Sequence, residues 1–404
     1  MKPIKLDKNL KFFHWEVFRV TAFVFVVLLL LKLAVFNLHI FDSFSQSLKD
    51  FDFTDLIYLK EKSPDRQPNP NKDIVLVNIG TDRQQIARQI NILERFHPKV
   101  LAVDAWFLKQ QLASRDSLLE KTISENRNII LAGFLEKVNE EGLRYVRSYP
   151  AIATKSADGY ANFVSENENT IRYFSPREVS AHDTVNAFAA EIVKQYATKK
   201  YASLTQRKNV IEYIRYKYLP ADFLKFDRDE IREDNPDLVQ LKDKIVVIGQ
   251  LGNDLQTNLL EDLNFTPLNK KFSGRSMPDT YGTYIHANII SMILHEDYTD
   301  KLNVYFTWFI SFLICYIHLY FFIGFYIRRP MWFHVSTKII QLISGAVIVG
   351  TALLLLDVFR LKIESGYILL PVLLSVDCIY FYDGLIKIIH KRWPLKSEFI
   401  NAHH

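Results

Sequence analysis

The stretch Lys244–Asp254, KIVVIGQLGND, decides how the fold of this chain is interpreted. Four apolar residues lead into Gly249, and a second glycine, Gly252, follows three positions later. The pattern is typical of a buried strand that leaves a sheet through a tight turn. It also occurs at nucleotide loops, but a P-loop needs a lysine and a hydroxyl residue, and a dinucleotide loop needs a third glycine. GQLGND has none of these, so we interpret it as a strand exit.

Strand-like and helix-like patterns alternate around this stretch, between Asp42 and Asp300. This alternation favours parallel pairing with right-handed crossovers, so we predict an exported α/β domain with a mainly parallel sheet. We also predict a hairpin formed by Gly159–Ser165 and Thr170–Pro176. The predicted strands are Ile74–Gly80, Lys99–Phe107, Asn128–Leu135, Ile211–Tyr218 and Lys244–Gln250, and the predicted helices are Arg83–Phe96, Ala113–Asn126, Asp183–Tyr196 and Gly282–Glu296.

Four other stretches are long and apolar enough to cross a bilayer, because a membrane span needs about 20 mainly apolar residues. They predict an α-helical membrane domain of four transmembrane helices beside the α/β domain. A buried core helix is the alternative for each stretch. The predicted bounds are 1–19 for a cytoplasmic N terminus, 20–38, 304–327, 339–359 and 367–389 for the spans, 42–300 for the α/β domain and 390–404 for a cytoplasmic tail.

Basic residues concentrate beside the predicted spans. Residues 42–300 contain 34 Lys/Arg and 38 Asp/Glu, whereas the rest of the chain contains 16 and 7. The formal charge of +5 therefore reflects membrane flanks, which are basic on the cytoplasmic side, and indicates no nucleic-acid partner. We predict a multi-pass protein of the bacterial inner membrane with its large domain in the periplasm. The two cysteines, Cys315 and Cys378, lie in predicted spans, which excludes disulfide and thiolate chemistry from that domain.

Polar side chains follow several predicted strands, and open parallel sheets bind ligands beyond the carboxyl ends of their strands. The structural alternatives are an N-cap for Asp82, a hydrogen-bonded structural acid for Asp104, and a satisfied core histidine for His286. No nucleophile elbow or H-E-x-x-H motif occurs, so we expect no enzyme activity, no cofactor and no metal site. The candidate ligand-binding residues are Asp82, Asp104, Gln250, Asn253, Asp254, Thr257 and His286.

Two charged residues fall inside predicted spans. Lys32 lies in the first span and Asp377 near the middle of the fourth. Charges at membrane depth are costly and usually paired, and the two depths differ by about one helical turn, within reach of a lysine stem. We therefore predict an intramembrane Lys32–Asp377 ion pair. The alternative is that Lys32 extends outward to the interface.

The order of these parts resembles the CHASE-2 family of extracellular sensor domains. A strand of the form x-V-I-x-x-D-x-x-F matches KVLAVDAWF, with Asp104 and Phe107 in place. A motif of the form G-x-x-N-V-x-x-D-x-D-G-x-x-R matches GYANFVSENENTIRY, with Arg172 retained. KIVVIGQ, then Thr266 and Pro267 in EDLNFTPL, and finally GTYIHANII complete the series. The resemblance covers nearly the whole chain and implies a sensor.

The chain departs from the family pattern in two ways. The Asp-x-Asp pair that the family often carries on its first strand is replaced by Asn78, Gly80 and Asp82. Family members usually continue into a cyclase, kinase or diguanylate cyclase domain, whereas 15 residues follow the last predicted span here. We therefore expect a non-enzymatic sensor that signals through a separate membrane partner, with homo-oligomerisation open. The alternatives are a structural accessory subunit of a cell-envelope complex and, least favoured, an enzyme.

Overall fold

The computed structural model describes most of the chain. The chain divides into two compact units, here called the α/β unit (Ser47–Thr299) and the helical unit (Met1–Gln46 with Asp300–His404). The described residues are 14–36, 52–63, 65–111, 113–138, 142–163, 170–180, 183–252, 263–269, 278–394 and 396–401.

Eleven α-helices lie within these ranges. In chain order they are α1 Trp15–Phe36, α2 Arg83–Glu94, α3 Ala113–Glu125, α4 Pro150–Ala153, α5 Phe188–Tyr196, α6 Thr198–Gln206, α7 Gly282–His295, α8 Val304–Arg328, α9 Pro330–Phe359, α10 Gly366–His390 and α11 Glu398–Asn401. Four 3₁₀ helices occur at Phe53–Leu59, Pro220–Asp222, Arg228–Glu230 and Pro236–Leu241.

The strands of the α/β unit build one large sheet and several short pairs. They are β1 Ile74–Asn78, β2 Val100–Val103, β3 Ile129–Val138, β4 Gly142–Val146, β5 Ala157–Tyr160, β6 Tyr173–Phe174, β7 Arg177–Ser180, β8 Asp183–Asn186, β9 Glu212–Tyr213, β10 Leu224–Phe226, β11 Ile245–Gly249, β12 Leu263–Asn264 and β13 Thr280–Tyr281. The large sheet has the order β10-β1-β11-β2-β3-β4, with β5 also on β3. Its pairs are parallel except β3–β4. The predicted mainly parallel α/β domain is therefore confirmed.

Strand alternation distributes the buried side chains between two layers of helices. Leu76 and Ala102 join the hydrophobic cluster that includes residues of α5 and α7. Val77 and Val103, one residue further along the same strands, join the cluster that includes residues of α2 and α3. All five residues of β11 are buried, because this strand lies between β1 and β2 and helices cover both faces.

Four local predictions are wrong. The strand predicted at Ile211–Tyr218 is reduced to β9, Glu212–Tyr213, which pairs with β6 outside the large sheet. β2 ends at Val103 rather than Phe107, so Asp104 follows the strand instead of lying within it. Within the described residues, the two arms of the predicted hairpin do not pair with each other, because β5 pairs with β3 and β6 pairs with β9. Residues 164–169, which include the predicted turn, lie outside the described residues. The predicted helix at Asp183–Tyr196 begins only at Phe188, since its first four residues form β8 and pair with β7.

Three helices of the helical unit are long and apolar enough to cross a membrane, namely α8, α9 and α10. They correspond to the second, third and fourth predicted spans. The first predicted span, 20–38, is helical up to Phe36 as part of α1, but α1 is not among the three. The charged residues of α1 are Glu16, Arg19 and Lys32. The prediction of four transmembrane helices is therefore supported for three of them.

Polar contacts join the apolar helices of this unit. Pro371 lies inside α10 and has no N–H to donate to the carbonyl of Tyr367. The hydroxyl of Ser311 on α8 donates to that carbonyl at 2.7 Å. On α9, the buried amide of Gln341 donates to the carbonyl of Val372 at 2.8 Å. The Ser311 bond supplies the donor that Pro371 withholds from Tyr367, in surroundings that offer no water. The Gln341 bond joins α9 to α10.

A short parallel strand pair lies beside the helix ends of the same unit. Its strands are β14 Asp300–Lys301 and β15 Leu361–Lys362. The backbone N–H of Asp300 donates to the carbonyl of Arg360 at 2.7 Å, and that of Leu302 donates to the carbonyl of Lys362 at 3.0 Å. The chain before α8 is thereby tied to the chain between α9 and α10.

Candidate functional site at the strand ends

The carboxyl ends of β11 and β2 bring Asp104 against the start of α7. The backbone N–H of Asp104 donates to the carbonyl of Ile248 at 2.8 Å. Its carboxylate Oδ2 accepts a hydrogen bond from the hydroxyl of Thr283 at 3.1 Å. A Cβ atom at Gly249 would lie 2.2 Å from Thr283 Oγ1, so only glycine lets the helix approach the strand this closely. Helix packing therefore explains the first glycine of GQLGND.

His286 lies one turn further along α7 and is 4% exposed. Its ring packs against Phe163 and Phe188, with centroid distances of 4.7 and 5.3 Å. Burial lowers the pKa of His286 below its ordinary value of 6.5, although the charge of Asp104 and a hydrogen bond with the backbone of Ala161 act in the opposite direction. Within the described residues, His286 Nδ1 has no hydrogen-bond partner. The imidazole is therefore neutral near pH 7 and does not neutralise the neighbouring carboxylate.

Aromatic rings lie on the same face of the sheet as Asp104. Ala102 packs on the α7 side, and Asp104, the residue after β2, contacts Thr283 of α7 on that side. Trp106 is 46% exposed, and its ring contacts Phe134 with centroids 5.4 Å apart. Phe134 follows Ala132, another residue of the α7 side, by two positions. We call the residues that contacts or charge connect around His286 the strand-end cluster, namely Asp104, Phe163, Phe188, Thr283 and His286.

The neighbouring strand ends, those of β1 and β10, are organised by Asn78 instead. Asn78 is fully buried, and its amide donates to the carboxylate of Asp227 at 2.9 Å and to the carbonyl of Gly252 at 3.3 Å. Its carbonyl oxygen Oδ1 accepts from the N–H of Leu251 at 3.1 Å. Arg228 donates to the carbonyl of Gly252 as well, at 3.2 Å. At this part of the sheet edge, the polar side chains hydrogen-bond to each other and to the backbone.

The candidate residues therefore separate into different roles. Asp104 and His286 are brought together, as expected for a shared site. Asp82 is exposed and caps α2, since its carboxylate accepts a hydrogen bond from the N–H of Gln85 at 2.8 Å. It therefore has the structural role of an N-cap, which was the alternative to ligand binding. The amide of Gln250 donates to the carbonyl of Gly252 at 3.1 Å. Three further candidates lie outside the described residues, namely Asn253, Asp254 and Thr257.

The intramembrane pair does not form among the described residues. Lys32 and Asp377 are both exposed, and neither makes an ion pair there. Asp377 lies on the outward side of α10, whereas Asp383 lies on the buried side, 6% exposed. Asp383 accepts hydrogen bonds from Tyr326 and Lys387, both at 2.8 Å. The buried, hydrogen-bonded carboxylate of α10 is therefore Asp383, not Asp377, which was chosen for its predicted depth in the membrane.

A buried ion pair that the sequence analysis did not identify anchors the chain segment after α1. Arg172 and Asp55 are 1% and 2% exposed. The guanidinium Nε lies 2.9 Å from Oδ1, and Nη2 lies 2.6 Å from Oδ2, a bidentate geometry. Arg172 was noted only as a retained motif residue. Its partner is 117 positions away, and no sequence pattern links the two.

Both chain ends of the α/β unit contact one segment, residues 207–216, which contains β9 and is called the β9 segment below. On the N-terminal side, the hydroxyl of Tyr58 donates to the carbonyl of Ile214 at 3.2 Å. On the C-terminal side, the guanidinium of Arg207 lies 4.5 Å from the ring centroid of Tyr298. The segments that lead to α1 and α8 therefore share a common support within this unit.

The strand-end cluster contains few chemical groups. It offers one carboxylate, one neutral imidazole and several rings. No group of three or more His, Cys, Asp or Glu side chains that could hold a metal ion occurs in the described ranges.

The chain thus combines an α/β domain with apolar helices that could span a membrane. The family model for the CHASE2 domain matches residues 20–326. The chain therefore belongs to the CHASE2 domain family, a family of extracellular sensor domains, which confirms the resemblance. Comparisons with curated proteins and with solved structures found no match.

Proposed function

We propose that the chain is a non-enzymatic sensor of the bacterial inner membrane whose α/β unit lies in the periplasm. The unit binds a small ligand at the strand-end cluster, and the helical unit passes the signal to a separate membrane partner. The observation that carries the proposal is the common support of both chain ends by the β9 segment. A shift of that one segment displaces both connections to the helices.

A short covalent route links the strand-end cluster to this support. The chain runs from Phe163, which packs on His286, to Arg172 within nine residues. Arg172 holds the N-terminal segment through Asp55, and β6 follows it directly and pairs with β9. Ligand-induced movement of Phe163 therefore has a path to both ends of the unit.

The proposal includes α1 as a fourth membrane span. Glu16 at the start of α1 accepts hydrogen bonds from Tyr382 at 3.2 Å and Ser397 at 2.9 Å. The start of α1 therefore lies beside the end of α10, as expected if both chain termini are on one side of the bilayer. That side is the cytoplasm, because its flanks are basic. Glu16 and Arg19 then lie near the boundary, where charge is tolerated.

The test is purification of the tagged full chain from its native membranes in mild detergent, followed by mass spectrometry of co-purifying proteins. A stoichiometric kinase or cyclase supports the sensor, and its activity is then measured with the wild-type chain, with Arg172→Met and with Arg177→Met as an exposed control. We expect only Arg172→Met to uncouple the partner. A companion without signalling activity favours the accessory-subunit alternative. Recovery of the chain alone overturns partner-mediated signalling.

A further inference from the structure

We propose that residues 397–401, which include α11 and are called the latch below, switch between two states according to the position of α1. The latch is docked and folded while the first turn of α1 lies beside it, and it is released and unfolded when α1 is displaced. This inference rests on the proposed sensor function, because it names the part of the helical unit that changes state when the signal arrives.

The latch is anchored by one aromatic side chain. Phe399 is 0% exposed and belongs to the hydrophobic cluster that includes Val17 and Val20 of α1. The centroid of its ring lies 5.8 Å from that of Tyr326 on α8 and 5.5 Å from that of Tyr382 on α10. A side chain near the end of the chain therefore joins the cluster that α1, α8 and α10 form.

Polar contacts attach the latch to the start of α1. The hydroxyl of Ser397 donates to the carboxylate of Glu16 at 2.9 Å. His14 Nε2, just before α1, lies 2.8 Å from a carboxylate oxygen of Glu398. The first contact is buried and the second is partly exposed, so the first contributes more to docking. Displacement of α1 by one helical turn, about 5.4 Å, breaks both contacts.

Docking and folding of the latch are a single event. Its helix, α11, has four residues, whereas an isolated helix needs about 12–15 residues to be even marginally stable in water. The described residues between α10 and the latch, 391–394 and Lys396, are exposed, and burial begins at Ser397. The latch is therefore either docked and helical or released and unfolded, as in other order–disorder switches.

The same contacts make the latch and α1 depend on each other. Release of the latch removes the Ser397 donor from Glu16, a carboxylate that is 6% exposed and also accepts from Tyr382 at 3.2 Å. A buried carboxylate that loses a hydrogen bond is destabilised, so α1 is held less firmly when the latch is released. By linkage, displacement of α1 weakens docking of the latch by the same free energy.

The first experiment measures release of the latch by carboxypeptidase digestion of the full chain in nanodiscs, with intact mass as the readout. A docked latch protects Phe399, whereas a released one is trimmed past it. Glu16→Ala, which removes the acceptor of Ser397, should raise the trimming rate about tenfold. The matched control is Glu16→Gln, which keeps an oxygen acceptor and should be trimmed more slowly than Glu16→Ala. Thermal unfolding verifies that each variant is folded.

The second experiment tests the reverse direction of the coupling. Val17→Cys places a thiol on the buried side of α1, and a water-soluble maleimide measures its exposure. The parent chain gives the background from its two cysteines, both buried. Phe399→Ala should raise labelling of the new thiol about tenfold, whereas Lys396→Ala, at an exposed position before the latch, should not. A thiol at Val24, about two turns further along α1, should label equally in both backgrounds.

The third experiment displaces α1 itself. Leu29 and Lys32 are both exposed on α1, and a lysine ammonium near a membrane boundary extends to the polar side. Combining Leu29→Lys with Lys32→Leu moves the charge by three residues and should slide α1 by about 4.5 Å. We expect carboxypeptidase to trim this variant about tenfold faster than wild type. Leu29→Met, which moves no charge, should be trimmed at the wild-type rate.

Three outcomes overturn the latch: Glu16→Ala is trimmed no faster than wild type, Phe399→Ala leaves labelling of the Val17→Cys thiol unchanged, or the moved lysine leaves trimming unchanged. None of these outcomes affects the co-purification of a partner. Recovery of the chain without a partner overturns partner-mediated signalling and leaves the coupling of the latch to α1 measurable. A failure of the latch and a failure of the sensor proposal are therefore distinguishable.

Discussion

Two carboxylates of the α/β unit, Asp55 and Asp104, differ in how their charge is compensated. Asp55 is 2% exposed and is held by both arms of the Arg172 guanidinium. Asp104 is half-buried and accepts a hydrogen bond from one neutral hydroxyl, that of Thr283. A compensated charge fixes a segment in place, whereas an uncompensated one is available to a ligand. The comparison predicts that changes at Asp55 alter stability and that changes at Asp104 alter binding.

The largest expected effect is at the compensated carboxylate. Arg172→Met leaves Asp55 buried without a counter-charge, and breaking such a pair typically costs about 3–5 kcal/mol. Pulse proteolysis of the full chain in urea should show this loss in the α/β unit. The control is Arg177→Met, which removes an exposed arginine five positions after Arg172. It should lower the free energy of unfolding by less than about 0.5 kcal/mol.

A double substitution separates charge from packing at the same place. Adding Asp55→Leu to Arg172→Met should restore part of the lost stability, because an apolar pair of similar volume often equals a buried ion pair. If the single Arg172→Met variant loses less than about 1 kcal/mol, the pair does not anchor the segment and the comparison fails.

The next effect concerns the geometry around Asp104. Gly249→Ala places a methyl group 2.2 Å from Thr283 Oγ1, and overpacking of this kind costs about 1–3 kcal/mol. Thr283→Ala in the same chain should relieve most of that cost, since it removes the clashing atom. Urea denaturation of the two single variants and the double variant measures the coupling. Strict additivity of the two changes would contradict close packing of α7 on β11.

A smaller effect depends on pH. Burial lowers the pKa of His286, so the unfolded chain takes up a proton below about pH 6.5 that the folded unit does not. Stability should therefore decrease as the pH falls from about 7.5 to about 5.5. His286→Gln should remove this component, whereas His295→Gln at the exposed end of the same helix should retain it. An unchanged pH profile in His286→Gln would show that the imidazole titrates normally.

The smallest expected effect on stability is at the uncompensated carboxylate itself. Asp104→Asn keeps an acceptor for Thr283 and removes a charge that has no ion-pair partner in the described structure, so we expect a change below about 1 kcal/mol. The same urea series measures it. A loss as large as that of Arg172→Met would assign Asp104 to structure rather than to binding.

The sequence was sufficient for the parallel sheet and for the helices that cover it, because apolar runs and helical spacing act locally. It was insufficient where pairing is non-local. The short β6–β9 pair and the Arg172–Asp55 ion pair join residues that no local pattern connects. The proximity of Asp104 and His286 was predictable because parallel strands end at one edge of a sheet. The packing of Phe163 on His286 was missed, since no local pattern connects these two residues.

The hydrogen bonds between β14 and β15 have a consequence for the path of the chain through a bilayer. Asp300 and Leu361 are register partners, so the point where the chain enters α8 and the turn that precedes α10 must share one aqueous compartment. Any topology that places these two points on opposite faces is excluded, whatever the distribution of lysine and arginine. A glycosylation or thiol-labelling site introduced near Glu364 should therefore report the same face as one introduced near Asp297.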